Sequence, residues 1–519
     1  MLDIIKIEDN IVLLKKAIMI IWAFVVALEL IFFPSTDALY ALLLCSVGLF
    51  ICGTIVFNIN CLLNYSVSTI ALLMYSVFFM LLPPIATLIE FKPLIYNLRD
   101  PFYTFSQLLI LQVVLVSIHA LYRNMSRKFR LKNSLSRLGF FSKLSYQEMW
   151  ACIIISLLCH MFIILSFGQY NEDGENIGAD MPPILRVISL AFGSAYSVVF
   201  VFYMQKFDII KNRYKPNNKL IILVVIIGFV IGIATNMRTA AISCFSAGLF
   251  LIIVYSLFYP LNLKQLFTIK NILIYGLVIY FFTGPFMDIS RAMLMSRDER
   301  YGKSGLEVFT ETFAYMDSSK KNAKETTINN TLLWSEDYLS NSILNRFCSL
   351  KILDESLFHA DRGGCSNPIM RKTLYDEVID VLPGSVKDML GIKIDKNLRK
   401  YSLTDKLYSL SVPGVPLGGV KIGTLQGLGM SLWGWGYILV LIPLYLVLFY
   451  LLDATVLFFE NRMYFSMFFI FNATTFVYWF SDRHYYLWES KWIFRFYWES
   501  LFFFFVFMLI IKRLPFIKH

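Results

Sequence analysis

Four arginines and one short acid–histidine segment carry the side chains best suited to chemistry. Arg238 lies in Ile233-Ala234-Thr235-Asn236-Met237-Arg238-Thr239, a tight hairpin between two apolar runs. Arg291 follows Gly284-Pro285 and Asp288, Arg346 sits in Asn345-Arg346-Phe347, and Arg362 closes His359-Ala360-Asp361-Arg362. A guanidinium offers paired donors in a planar fork and stays charged, which suits a phosphate or diphosphate. His359 and Asp361 are the candidates for a general base, one turn or less from Arg362. Each group also has a plainer reading. An arginine near a membrane surface can snorkel or pair with an acid, and the segment before Gly363-Gly364 can be a solvated turn.

Other chemistry lacks its motif. Gly302-Lys303-Ser304 ends like a phosphate-binding loop, but Arg297 stands where the first glycine is required. No HExxH, GxSxG or EF-hand pattern occurs, and the eight cysteines contain no CxxC pair. No metal and no cofactor is therefore expected. Cys348 and Cys365 share one long loop, where a disulfide is open if that loop lies outside the cell. Glu29 is the one carboxylate well inside an early apolar run, and the lone histidines His119 and His160 read as groups satisfied by a neighbouring helix. Arg495 and Glu499 are four residues apart, so a helix lets them pair.

The elements that must position these residues are membrane helices. The 519 residues are 57% hydrophobic and 16% charged, with mean hydropathy +0.63, whereas soluble domains average about 25% charged residues. Apolar runs at about 17–33, 38–57, 65–88, 102–121, 148–167, 184–205, 220–236, 239–258, 272–289, 432–452, 463–480 and 494–511 predict about twelve transmembrane helices. The fold class expected is all-α, a polytopic helix bundle. The first run lacks a small-residue cleavage site before Pro34 and reads as a retained helix. The net charge of +11 is spread through short loops, which speaks against nucleic acid as a partner. Basic loops after the fourth, sixth and eighth runs and in the C-terminal tail put that side, and both termini, in the cytoplasm. Residues 1–289 then hold nine helices, 290–431 form a large, mostly helical extracytoplasmic loop, and 432–519 hold three more helices. Aromatic clusters such as Trp433, Trp435 and Tyr437 read as an interfacial belt.

Three features resemble the O-antigen polymerase family of oligosaccharide repeat-unit polymerases. They are the hairpin arginine followed by Thr239-Ala240-Ala241, the late loop with Asn345-Arg346-Phe347, and the return to the membrane through Gly427-Leu428-Gly429-Met430-Ser431-Leu432-Trp433-Gly434-Trp435-Gly436. The likeness covers most of residues 220–460. It implies a GT-C-like membrane fold at the outer face of the bacterial inner membrane. The implied activity is transfer of a growing glycan from undecaprenyl diphosphate to a hydroxyl of an incoming lipid-linked repeat, building O-antigen, capsule or exopolysaccharide. The partners implied are the undecaprenyl-diphosphate-linked oligosaccharide, membrane lipid and a chain-length regulator; neither metal nor nucleotide sugar is implied. Arg238, Arg291, Arg346 and Arg362 would hold the diphosphate, with His359 or Asp361 as base. Two other readings fit the same residues: a ligase that attaches the glycan to lipid A core, and a polysaccharide flippase.

Overall fold

A computed structural model gives the fold. It describes residues 4–125, 131–167, 215–234, 238–259, 268–295, 305–322, 333–336, 338–341, 344–345, 348–382, 384–392, 401–415, 417, 421–473 and 486–513, with residue 198. The chain is predominantly helical. The first half contains α1 (Ile4–Phe32), α2 (Thr36–Ile51), α3 (Ile59–Asn64), α4 (Ser66–Ser76), α5 (Leu82–Ile89), α6 (Pro101–Met125), α7 (Leu131–Arg137), α8 (Tyr146–Phe167), α9 (Asn218–Ala234) and α10 (Arg238–Phe258). Then follow α11 (Ile269–Thr283), α12 (Pro285–Met295), α13 (Gly305–Asn322), α14 (Leu350–Gly363), α15 (Pro368–Asp380), α16 (Gly384–Met389), α17 (Leu403–Ser411), α18 (Leu425–Trp433) and α19 (Tyr437–Asp453). A hairpin of β1 (Val456–Phe459) and β2 (Arg462–Phe465) precedes α20 (Met467–Phe471), α21 (Tyr486–Lys491) and α22 (Tyr497–Lys512).

Six helical stretches among the described residues are long and apolar enough to cross a membrane: Ile7–Phe32, Thr36–Val56, Ser66–Ile89, Pro101–Met125, Leu425–Asp453 and Glu489–Lys512. Shorter apolar helices cover Tyr146–Cys159, Asn218–Ala234 and Cys244–Phe258. Their length and composition mark a membrane-embedded protein. The expected run at 184–205 lies outside the described residues, apart from residue 198. The expected run at 272–289 is divided, because α11 stops at Gly284 and Pro285 starts α12. The expected run at 463–480 is replaced, over its described part, by β2 and α20. Glu460 and Asn461 adopt positive φ of 48° and 54° and turn the chain back, so that Val456 pairs with Phe465 and Phe459 with Arg462. A two-residue turn with both φ positive matches the twist of a hairpin.

Two carboxylates tie distant helices together at the two ends of the bundle. At one end Asp453 finishes α19 and accepts from the Val67 and Ser68 backbone N–H groups and from Ser68 Oγ, at 2.9, 3.0 and 2.6 Å. It thereby caps the start of α4, and Ser68 Oγ also meets His119 Nε2 on α6 at 3.0 Å. At the other end Asp354 of α14 accepts from the N–H groups of Arg99 and Asp100, just before α6 begins. In both cases a negative group satisfies N–H donors that a helix start leaves open. The first end carries Lys15 over the Phe57 ring, Arg123, Lys132, and Lys512 against Ser142 Oγ. The second end carries the layer built by α14, α15, α17 and α18.

Candidate functional site

α14 is the centre of that layer. Its apolar side chains Leu350, Leu353, Leu357 and Ala360 are buried, and so are Lys351, Asp354, Glu355 and His359. Charged groups so enclosed require partners, and the neighbouring elements supply them. Glu355 accepts from Arg99 Nε at 2.8 Å and Nη2 at 3.0 Å, and from Lys351 Nζ at 2.8 Å. Lys351 Nζ also reaches Asp354 Oδ2 at 2.9 Å. Arg99 donates further to the Leu333 carbonyl and lies over the Phe358 ring, 4.1 Å from its centroid. Burial would raise the Glu355 carboxyl, but the contacts from His359, Arg99 and Lys351 outweigh it and hold the group at about 2. The spacing 351, 355, 359 places all three α14 side chains on one helical stripe.

His359 occupies the end of that stripe. It is fully enclosed, stacked on Trp334 at 5.1 Å and edge-on to Tyr408. Its Nδ1 meets Ser411 Oγ at 2.6 Å, and its Nε2 faces Glu355 Oε2 at 3.4 Å, too long for a well-made hydrogen bond. Both nitrogens thus face protein groups, and His359 is buried among the described residues.

One turn later the helix reaches the surface. Asp361 and Arg362 are exposed. Arg362 Nε donates to the Ser411 carbonyl at 2.9 Å, and its two terminal nitrogens have no protein partner among the described residues. The fork is therefore anchored at its root and open at its tip. Gly364 follows at φ 91°, and Ser366 and Asn367 donate their N–H groups to the Met430 and Ser431 carbonyls, with Arg371 Nη1 on the Leu432 carbonyl. These bonds fix the Asp361–Arg371 segment over the end of α18, beside Tyr103, whose phenol is within electrostatic reach of Asp361 and Cys365.

The other expected ligands are placed less fully. Arg238 opens α10 and Arg291 lies in α12, and the structure describes their backbone positions but not their side chains. Ile233 at the end of α9 packs with Ile289 and Met293 of α12 in one apolar cluster. Arg346 falls outside the described residues, as does the Arg297–Ser304 segment. Cys348 is buried and Cys365 exposed, both with free thiols. Glu29 accepts from the Leu94 N–H, and Arg495 pairs with Glu499 at 2.6 Å. Among the described residues no three histidine, cysteine, aspartate or glutamate side chains converge as metal ligands.

Arg99 and Ser411 were invisible as partners in the sequence, because each is joined to α14 only by folding. The 351–355–359 repeat was the available signal for the rest of the cluster. Compared with protein families, curated proteins and solved structures, the chain matches none.

Proposed function

We propose that the chain is a membrane glycosyltransferase that polymerises lipid-linked oligosaccharide repeat units. On this reading the α14 layer faces outward from the bacterial inner membrane, both termini are cytoplasmic, and the bundle is GT-C-like with about twelve spans. The observation that carries the reading is Arg362. It is an exposed guanidinium with an anchored Nε and, among the described residues, no partner at its terminal nitrogens, beside the exposed Asp361 on a helix tied by buried ion pairs.

The chemistry follows from those two groups. The hydroxyl oxygen of the incoming repeat attacks the anomeric carbon of the growing glycan. The bond from that carbon to undecaprenyl diphosphate breaks, and its electron pair leaves with the diphosphate. Arg362 stabilises the charge that develops there, assisted by Arg238, Arg291 and Arg346. Asp361 takes the hydroxyl proton. The enclosure of His359 gives it a positioning role, through Ser411, on which Arg362 also rests.

The test compares glycan length ladders from cells expressing the wild type, Asp361→Asn and Arg362→Ala at matched levels. Removing a transition-state donor costs about 100- to 1,000-fold in rate, so both variants should lose the higher rungs. Unchanged ladders from both would overturn the proposal. Single-step capping of lipid A core in place of a ladder would indicate a ligase.

A further inference from the structure

At the opposite end of the bundle from α14 lies a cavity of about 740 Å³, walled by α3, the end of α6, α7 and the end of α19. Asn60, Asn64, Asn124 and Asn133 line it, together with Arg123, Lys132 and, on its floor, Asp453. None of these residues takes part in the chemistry proposed above. The cavity falls within the range of about 300–1,000 Å³ that small-molecule sites occupy.

Charge decides what it can hold. Asp453 is only 2% exposed, and its oxygens are already engaged by two backbone N–H groups and the Ser68 hydroxyl. Lys132 makes no hydrogen bond or ion pair among the described residues, although the Asp453 charge is near enough to act on it. Burial pulls the Lys132 amine below the usual lysine range, and Asp453 opposes that pull. Arg123 is held in the wall by the Ile55 carbonyl and Cys61 Sγ. Two cations against one carboxylate leave a single net positive charge. The exposed asparagine amides around it can donate to and accept from hydroxyl groups. A cation is disfavoured by Arg123 and Lys132. A doubly charged diphosphate would exceed the available charge.

We propose that this cavity binds the glycerol ester of a singly charged phosphate, with Lys132 as the principal contact to the phosphate oxygens and the asparagines on the glycerol hydroxyls. Two sources carry that chemistry. One is the headgroup of an anionic phospholipid at the membrane surface, since basic pockets between membrane helices suit such headgroups. The other is a free glycerophosphodiester from solution, which carries the same single charge.

The experiment is native mass spectrometry of the full-length protein in detergent. It is titrated with dioleoylphosphatidylglycerol, dioleoylphosphatidylcholine and the soluble diester glycerophosphoglycerol. Wild type should retain phosphatidylglycerol at least about tenfold better than phosphatidylcholine, roughly the worth of one charge-assisted contact. Lys132→Gln should remove that preference and Lys132→Arg should keep it. Asn133→Asp places a negative charge at an exposed wall position outside the core and should weaken retention as well, so the test survives if Lys132→Gln fails to fold. Binding of glycerophosphoglycerol with no phosphatidylglycerol preference would assign the soluble source. Equal retention of both lipids with no glycerophosphoglycerol bound, or wild-type binding by both Lys132→Gln and Asn133→Asp, would overturn the proposal.

Discussion

At the scale of single residues, the Arg99–Glu355–Lys351 contacts are buried and mutually dependent. Removing one partner from such a set leaves an uncompensated charge and costs about 3–5 kcal/mol. Glu355→Ala should therefore lower the melting temperature far more than the exposed Asp361→Asn, as a thermal unfolding series would show. Because Glu355 is held at about 2, below its ordinary 4.5, its contribution is full above pH 4.5 and is lost as pH falls towards 2. Glu377 behaves in the opposite sense. Burial raises it to about 7, with Lys491 lowering it and Asp380 adding to the rise. The folded protein then keeps a proton that the unfolded chain has released, so stability is greatest below pH 4.5 and declines as pH rises through 7. Wild type should lose up to about 3 kcal/mol between pH 4.5 and 8 from this group. Glu377→Gln should remove that slope in melts taken across the range, and an unchanged slope would refute the assignment.

At the scale of elements, α14 and α18 approach so closely that a Cβ on Gly427 would lie 2.3 Å from Ser356 Cβ and 2.6 Å from its backbone carbon. Gly427→Ala should separate the two helices and cost about 1–3 kcal/mol or more, with loss of the Ser356-side packing that holds Arg362 in place. Unfolding midpoints and ladder length should fall together. The glycine-rich run around Gly427 was visible in the sequence as a return to the membrane, and α18 and α19 occupy it. Its packing purpose was not visible, because Ser356 lies far away along the chain. Gly434, at φ 56°, turns the chain between the two helices, so the apolar stretch 425–453 is not one straight rod. The β1–β2 hairpin escaped sequence reading for a different reason. Val456–Phe459 and Met463–Phe471 form apolar runs with helix-like length, and Glu460-Asn461 lacks the glycine that marks most two-residue hairpin turns.

At the scale of the whole molecule, hydropathy made the membrane helices legible, since their length is set by the bilayer and needs no knowledge of packing. The charged core of α14 was not legible. A lysine, a glutamate and a histidine on one stripe carry no mark of burial in the sequence, because Arg99 and Ser411 close over them only in the fold. The arrangement of ends also yields a test of sidedness. Of the eight cysteines, Cys365 is the exposed one, and it lies in the α14 layer. Burial and the Asp361 charge raise its thiol, so labelling should be slow at neutral pH and faster at higher pH. A membrane-impermeant maleimide applied to spheroplasts should label wild type and not Cys365→Ser. Labelling only after the membrane is opened would invert the proposed orientation.

The central claim is bond formation from a lipid diphosphate. Its most direct measurement uses purified protein in liposomes with a single undecaprenyl-diphosphate-linked repeat unit, following lipid-linked glycan length and released undecaprenyl diphosphate together. A ladder of longer glycans is expected, with one undecaprenyl diphosphate released per link and a drop of about 100-fold or more for Arg362→Ala. Folded wild-type protein that lengthens no glycan and releases no diphosphate would contradict it.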